Sequence, residues 1–140
     1  MCYAVYLGTG RELKLGQFIP DQTDIYFEKL SAEEDEFLRS KFTKTNIYYV
    51  GSDTSCSCGL VFDSRDFHKP EEQINKKSPQ RFLDVLSEMT LFEDIEYYCC
   101  WEGEWNFPIE HKRELDIRSI SLDSNYFVGT LREFIRLTKH

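Results

Sequence analysis

The stretch Ile95-Glu96-Tyr97-Tyr98-Cys99-Cys100-Trp101 decides the fold. It is short, dominated by aromatic and β-favouring residues, and bounded on its C-terminal side by a turn region around Gly103 and Pro108. Such a run is typical of a strand in the middle of a sheet. We therefore predict a central strand over 95–101 and expect the other elements to pack around it.

Further β-favouring runs on both sides of this stretch predict more strands. The first of them turns through Gly8-Thr9-Gly10, which indicates an N-terminal hairpin. The run over 114–122 alternates, but with a shift between 117 and 120 that indicates a bulge or a strand break. The expected strands are 2–8, 12–15, 25–30, 46–50, 59–62, 114–122 and a short one at 126–128.

Two or three helices are expected in addition. Ser31-Ala32-Glu33-Glu34 is a capping box that predicts a helix over 32–42. Ser78-Pro79 opens a second helix, in which Phe82, Val85, Leu86 and Met89 form one apolar stripe. The spacing of Leu131, Phe134, Ile135 and Thr138 favours a third helix, and 63–77 has the polar composition of a loop.

The sum is a single α+β domain over residues 1–140, a mostly antiparallel sheet with two or three helices packed on one face. The chain is 41% hydrophobic and 15% aromatic, a globular composition. It has no apolar run near the roughly 18 residues of a membrane span and no signal-peptide pattern at its start. Five cysteines make a poor disulfide framework, so we expect a cytoplasmic protein with reduced thiols.

A small-residue loop, Gly51-Ser52-Asp53-Thr54-Ser55-Cys56-Ser57-Cys58-Gly59, carries two thiols. On an extended backbone Cys56 and Cys58 project to the same face, which suits two ligands of tetrahedral zinc, although zinc pairs usually have wider spacing. Zinc would need two further ligands, and the candidates are Cys2, His68 and one of the adjacent pair Cys99 and Cys100. No cofactor is therefore expected from these residues, and zinc is possible.

Two other interpretations of the loop stay open. The thiols could act in redox chemistry, or they could be small buried hydrophobic groups beside a tight turn. Small residues let a ligand approach the backbone closely, so Ser52 and Asp53 are candidate binding residues, with turn stabilisation as the alternative role of Asp53. A small-molecule pocket lined by Tyr48, Tyr49 and Trp101 is a third alternative.

Charge is concentrated in one segment. The chain carries a formal net charge of −8, and residues 82–111 hold eight carboxylates without a lysine or arginine. Acids interleaved with aromatics suit a basic protein partner, because aromatics anchor in pockets and acids steer the encounter. The candidate binding residues are Glu93, Asp94, Glu96, Trp101, Glu102, Glu104 and Trp105.

These patterns lead to a noncatalytic acidic binding module of the inhibitor, immunity or counter-defence type as the first functional hypothesis. The net negative charge disfavours direct nucleic-acid and membrane binding. The runner-up is a thiol-centred site at Cys56 and Cys58 that binds zinc or acts in redox chemistry. A core strand flanked by solvated acidic loops would explain the charge pattern without any partner.

The start and the cysteine loop together resemble a set of small uncharacterised bacterial and phage proteins. The matching motifs are Met-Cys-x-x-x-Tyr-Leu-Gly, with Cys2 and Tyr6 to Gly8, and Tyr-Tyr-Val-Gly-Ser-x-x-x-Cys-x-Cys-Gly from Tyr48 to Gly59. The resemblance covers about the first 60 residues. It implies a bacterial or phage cytosolic protein and assigns no chemistry.

Overall fold

The protein contains one six-stranded sheet and two α-helices, as seen in a computed structural model that describes residues 1–139. The strands lie in the order β2-β3-β1-β4-β6-β5, and all neighbours are antiparallel except β5 and β6. The α+β class and the mostly antiparallel sheet are therefore confirmed. The elements are β1 (Tyr3–Thr9), β2 (Ile25–Lys29), α1 (Ala32–Leu38), β3 (Asn46–Ser52), α2 (Lys77–Met89), β4 (Ile95–Trp101), β5 (His111–Asp116) and β6 (Glu133–Thr138).

β4 is an inner strand, as predicted, with β1 on one side and β6 on the other. Six of its seven residues are buried, and so are six of the seven residues of β1 beside it. Successive side chains of a strand point to opposite faces, so burial along the whole strand means that both faces are covered. The two faces carry separate hydrophobic clusters, which we call the first and the second cluster.

The first cluster packs α2 against the sheet. Phe82 and Leu86 from the apolar stripe of α2 meet Val5, Leu7 and other strand residues of the same face. Burying each such side chain contributes about 1.5–3 kcal/mol. Irregular segments complete the cover with Leu60, Phe62, Ile117, Leu122, Phe127 and Val128.

The second cluster packs α1 against the opposite face. Leu38 and Phe42 meet Ala4 and Tyr6, the residues of β1 that alternate with those of the first cluster. Phe42 lies so close to Gly8 that a Cβ there would come within 2.6 Å of its ring. The expectation that the helices share one face is therefore corrected: alternating burial along the inner strands requires an apolar cover on each side.

Several predicted elements differ in the structure. Segment 12–15 forms no strand. Its Leu13 amide donates to the Tyr48 hydroxyl at 2.9 Å, where a strand would have donated to the backbone of a neighbouring strand. Segment 57–60 is a 3-10 turn that buries Leu60, where a strand over 59–62 was expected. α1 gives way to a 3-10 turn over 39–41, and 64–66 and 70–76 are also 3-10 turns.

The C-terminal part differs most. β5 covers 111–116 and is followed by a 3-10 turn over 117–119. Asp116 caps this turn, because its carboxylate accepts from the Arg118 amide at 2.9 Å. The expected helix over 131–138 is strand β6. Its apolar residues lie on both faces, Phe134 in the second cluster and Ile135 in the first, and this two-sided burial also fits a helical spacing. No helix within residues 1–139 has the length and apolar character to cross a membrane.

Candidate metal centre

Three cysteines from two distant parts of the chain converge. The Sγ atoms of Cys2, Cys56 and Cys58 all lie within 4.8 Å of one another, and each residue is half-buried. This is the one group of three or more potential metal-ligating side chains found among residues 1–139. The three thiols could hold a metal ion, and thiolates are the ligands that zinc prefers in closed protein sites.

Cys2 reaches the group because β1 lies between β3 and β4. The residue precedes β1 directly, and its carbonyl accepts from the Glu102 amide at 2.8 Å, which continues the pairing with β4 past Trp101. The other neighbour, β3, runs antiparallel and delivers the cysteine loop to the same end of the sheet. Sheet order alone therefore brings the N-terminal thiol to the loop.

Ser57 locks the loop into the sheet. Val5 and Val50 are paired residues of β1 and β3, but the Ser57 hydroxyl stands between their backbones. It accepts from the Val5 amide at 2.9 Å and donates to the Val50 carbonyl. The Ser57 amide in turn donates to the Tyr49 hydroxyl at 3.0 Å. These bonds hold the residue between the two thiols at a defined place beside β1.

The rest of the loop is a tight turn built on Ser52. Its hydroxyl donates to the Cys56 carbonyl at 2.6 Å and accepts from the Gly59 amide at 3.0 Å. Ser55 adopts a left-handed φ of 64°, which reverses the chain. A Cβ on Gly59 would come within 2.3 Å of the Ser52 hydroxyl, so glycine is needed for this close approach.

The thiols differ in acidity. Burial raises the pKa of Cys56, but hydrogen bonds to its sulfur, first from the Thr54 hydroxyl and then from the Cys58 backbone, outweigh burial and place this pKa below its ordinary value. The hydroxyl lies 3.5 Å from the sulfur. Burial together with the hydrogen bond to Cys56 raises the pKa of Cys58 to about 11. Cys56 is thus the thiol of this pair that ionises first.

Cys99 and Cys100, named above as further ligands, do not belong to this group. They lie on opposite faces of β4, each fully buried in one hydrophobic cluster. Burial raises the pKa of each to about 12. Both are therefore packing residues with inert thiols.

An acidic groove of about 310 Å³ adjoins the centre at Cys56. Carboxylates from three elements line it, Glu28 of β2, Glu34 of α1 and Glu102 after β4, together with one lysine, Lys29. The negative charge of these side chains favours a bound cation. Sequence spacing does not bring these three glutamates together, because they become neighbours only through the pairing of the strands.

The other candidate residues of the acidic stretch have partners inside the molecule. Glu93 accepts from the Gly10 and Arg11 amides and pairs with Lys44. Glu96 accepts from Thr43 and from the Lys44 amide. Asp94 pairs with Arg136, and Glu104 pairs with Arg132. Trp105 donates to the Tyr6 hydroxyl at 2.7 Å, and Trp101 packs on Tyr3. Glu102 remains, and it lines the acidic groove.

Two other sequence candidates have structural roles. The Asp53 amide donates to Ser78 at 3.1 Å, which joins the loop to α2. Tyr48 pairs with Leu7 and Tyr49 with Tyr6, so the two rings lie on opposite faces of β3 and line no common pocket with Trp101. Sequence reasoning missed Ser57, Thr54 and Tyr49 as residues that position the thiols. Their hydroxyl groups next to the Cys-x-Cys motif were the available signal.

Comparison with protein families, with curated proteins and with solved structures found no match to this chain.

Proposed function

We propose that the protein binds a thiophilic divalent metal ion, zinc in the first place, through Cys2, Cys56 and Cys58. The observation that carries the proposal is the convergence of the three Sγ atoms within 4.8 Å of one another. Three protein ligands leave a fourth position for water or an external ligand, which is the coordination of reactive zinc sites. The acidic groove beside Cys56 supports a cation at this place.

The metal would compete with protons for the thiols. The pKa of Cys58 is raised to about 11, so at neutral pH binding must release its proton. We therefore expect the zinc affinity to rise with pH through the neutral range and to weaken in acid. Titration at several pH values against a chromogenic chelator measures this dependence.

The test uses the reduced full chain with Zn²⁺, and with Co²⁺ as a spectroscopic probe. We expect one equivalent of metal and thiolate-to-cobalt charge-transfer bands that weaken in each single variant Cys2→Ser, Cys56→Ser and Cys58→Ser. Each variant should lose at least about tenfold in affinity, about 1.4 kcal/mol. Cys100→Ala is the matched control, because its thiol lies outside the group, and it should bind normally. A chain that binds no metal, or equal affinity in all variants, would contradict the proposal.

Redox chemistry is the competing use of the same thiols. A disulfide within Cys-x-Cys would close a very short, strained loop, which opposes redox chemistry, whereas the lowered pKa of Cys56 favours a reactive thiolate. Mass spectrometry after mild peroxide treatment distinguishes the two uses. Rapid formation of a disulfide in the zinc-loaded protein would favour redox chemistry over metal binding.

A basic protein partner is the second candidate function, and the acidic groove is the observation that favours it. Its glutamates converge from three segments, and Glu102 is the acid of the 82–111 stretch that lies in it, while Glu93 and Asp94 bind cations within the fold. We expect a Lys- and Arg-rich peptide to bind in a salt-sensitive way. Glu102→Lys should abolish this binding, whereas Glu71→Lys, an exposed acid of the 70–76 turn, should not. Equal binding by both variants would exclude the groove.

A further inference from the structure

A second groove lies on the second-cluster face, where α1 does not reach. Phe42 marks the limit of the cover from α1, and β5 with the neighbouring part of β6 extends beyond it. The space between segment 41–44 and these strands measures about 520 Å³, within the range of small-molecule sites. The lining residues are Lys41, Thr43, Lys44, Asp94, Glu96, Lys112, Arg113, Glu114, Phe134 and Arg136.

More cations than carboxylates line this groove. Five cationic side chains and three carboxylates line it, although the chain as a whole carries −8. Two of the carboxylates have roles in the fold. Glu96 is buried and accepts from the Thr43 amide and hydroxyl at 2.9 and 2.6 Å, and Asp94 pairs with Arg136. Glu114 is the third carboxylate, and three of the five cations are paired: Lys44 with Glu93, Arg113 with Glu133 and Arg136 with Asp94.

Lys41 and Lys112 are the cations without an acidic partner. Within residues 1–139 neither forms an ion pair: Lys41 donates to the Phe107 carbonyl at 2.8 Å, and Lys112 lies 5.4 Å from the Phe134 ring centroid. The Lys41 ammonium lies 5.7 Å from the centroid of Tyr98. Tyr98 and Phe134 are directly paired across β4 and β6, so the two ammonium groups stand over neighbouring rings.

Partial burial makes this arrangement costly without an anion. Desolvation lowers the pKa of Lys41, which means that its charged form is incompletely solvated. A divalent anion between two ammonium groups would replace the lost water with charge-assisted hydrogen bonds. Arg113, on the edge strand β5, also lines the groove, but its guanidinium is paired with Glu133.

We propose that this groove binds a phosphate-bearing small molecule, with the phosphate held between Lys41 and Lys112. Phosphate suits the site because it carries two charges and several acceptor oxygens, whereas a lone carboxylate can satisfy one ammonium well. A polyanion does not suit it, since the net negative charge outside the groove would repel the flanking phosphates. The site is separate from the thiols and does not depend on the proposed metal.

The test follows amide NMR spectra during titration with inorganic phosphate and with pyrophosphate at low salt. We expect saturable shifts in segments 41–44, 112–114 and 134–136, with pyrophosphate binding more tightly than phosphate. Lys41→Gln with Lys112→Gln should weaken binding at least about tenfold, about 1.4 kcal/mol. The conservative variant Lys41→Arg with Lys112→Arg should retain phosphate binding, because it keeps both positive charges. Lys14→Gln with Lys77→Gln removes the same charge from exposed positions elsewhere and should bind phosphate like the unmodified chain.

Three results would overturn the proposal. They are shifts that do not saturate, equal weakening in the two glutamine variants, and tighter binding of a single-stranded oligonucleotide than of pyrophosphate. The spectrum of each variant also reports whether it folds. If the glutamine variant does not fold, the arginine variant still tests the site. Cys56→Ser should bind phosphate like the unmodified chain. Failure of the metal proposal can therefore be told apart from failure of the phosphate proposal.

Discussion

Ser57 is the residue on which the geometry of the thiols depends. Its hydroxyl takes the place of a ladder hydrogen bond between Val5 and Val50, both fully buried. Because Cys56 and Cys58 flank it directly, the position of both thiols relative to Cys2 follows from this insertion. A serine here joins strand pairing to the site.

Ser57→Ala should therefore affect both stability and metal binding. The substitution leaves a buried amide and a buried carbonyl without their partner, which costs about 1–3 kcal/mol. Urea unfolding measures the loss, and the chelator titration should show weaker zinc binding. Ser124→Ala, which removes an exposed hydroxyl, should stay within about 0.5 kcal/mol of the unmodified chain. Unchanged zinc affinity in Ser57→Ala would show that the insertion does not position the thiols.

The two thiols of the loop should also react in a fixed order in the metal-free, reduced protein. The thiolate is the reacting form, so each alkylation rate rises with pH until the thiol is ionised. The pKa of Cys56 is lowered and that of Cys58 is raised to about 11. Iodoacetamide labelling followed by peptide mass spectrometry should show Cys56 modified first near neutral pH and Cys58 only in strong base. The reverse order would contradict the hydrogen-bond pattern around Cys56.

At the scale of the element, α1 is joined to the sheet through its first turn. Ser31 and Glu34 form the capping box, with the Glu34 amide donating to Ser31 at 3.1 Å and the Ser31 amide donating back at 2.8 Å. The second carboxylate oxygen of Glu34 accepts from the buried Tyr6 hydroxyl at 2.6 Å. One glutamate thus caps a short helix and binds the middle of β1.

Removal of the two cap residues should have unequal effects. Ser31→Ala loses one cap bond and should cost about 1 kcal/mol. Glu34→Ala also takes the carboxylate from Tyr6, so the loss should reach about 2–3 kcal/mol. Glu33→Ala, an exposed neighbour in the same turn, is the control and should be nearly neutral. Denaturant unfolding compares the three, and equal losses for Ser31→Ala and Glu34→Ala would exclude the link to the sheet.

At the scale of the whole molecule, β1 and β4 contribute to both hydrophobic clusters. Val5 and Tyr97 belong to the first cluster, and Tyr6 and Tyr98 to the second. Neither cluster can lose its strands without exposing the other. We therefore expect the two faces to unfold together in one cooperative transition.

The two tryptophans can test this, because they report on different faces. Trp101 packs on Tyr3 beside the first cluster, and Trp105 packs against the second. In Trp105→Phe and in Trp101→Phe, the remaining fluorescence should change at the same urea concentration as the far-ultraviolet circular dichroism. Separate midpoints within either variant would show that one face opens first.

The sequence predicted much of the fold where local pattern and local packing agree. The β4 run, the capping box of α1 and the apolar stripe of α2 each led to the correct element. The β6 segment led to the wrong one, because residues buried on both faces of a strand also fit a helical spacing. The bounds of β5 were also predicted wrongly, as 114–122 instead of 111–116. This strand lies at the edge of the sheet, where its mostly exposed residues carry little periodic signal.

The candidate site was predictable only in part. Cys56 and Cys58 are two residues apart and their pairing is a local property, whereas Cys2 joins them only because β1 inserts between β3 and β4. The acidic glutamates beside Cys56 and the lysines of the phosphate groove also come from distant segments. Composition and short-range spacing by themselves determined an acidic α+β chain with a cysteine loop. Strand order decided which thiols meet, which charges share a groove and which helix covers each face, because these are contacts between residues far apart in the chain.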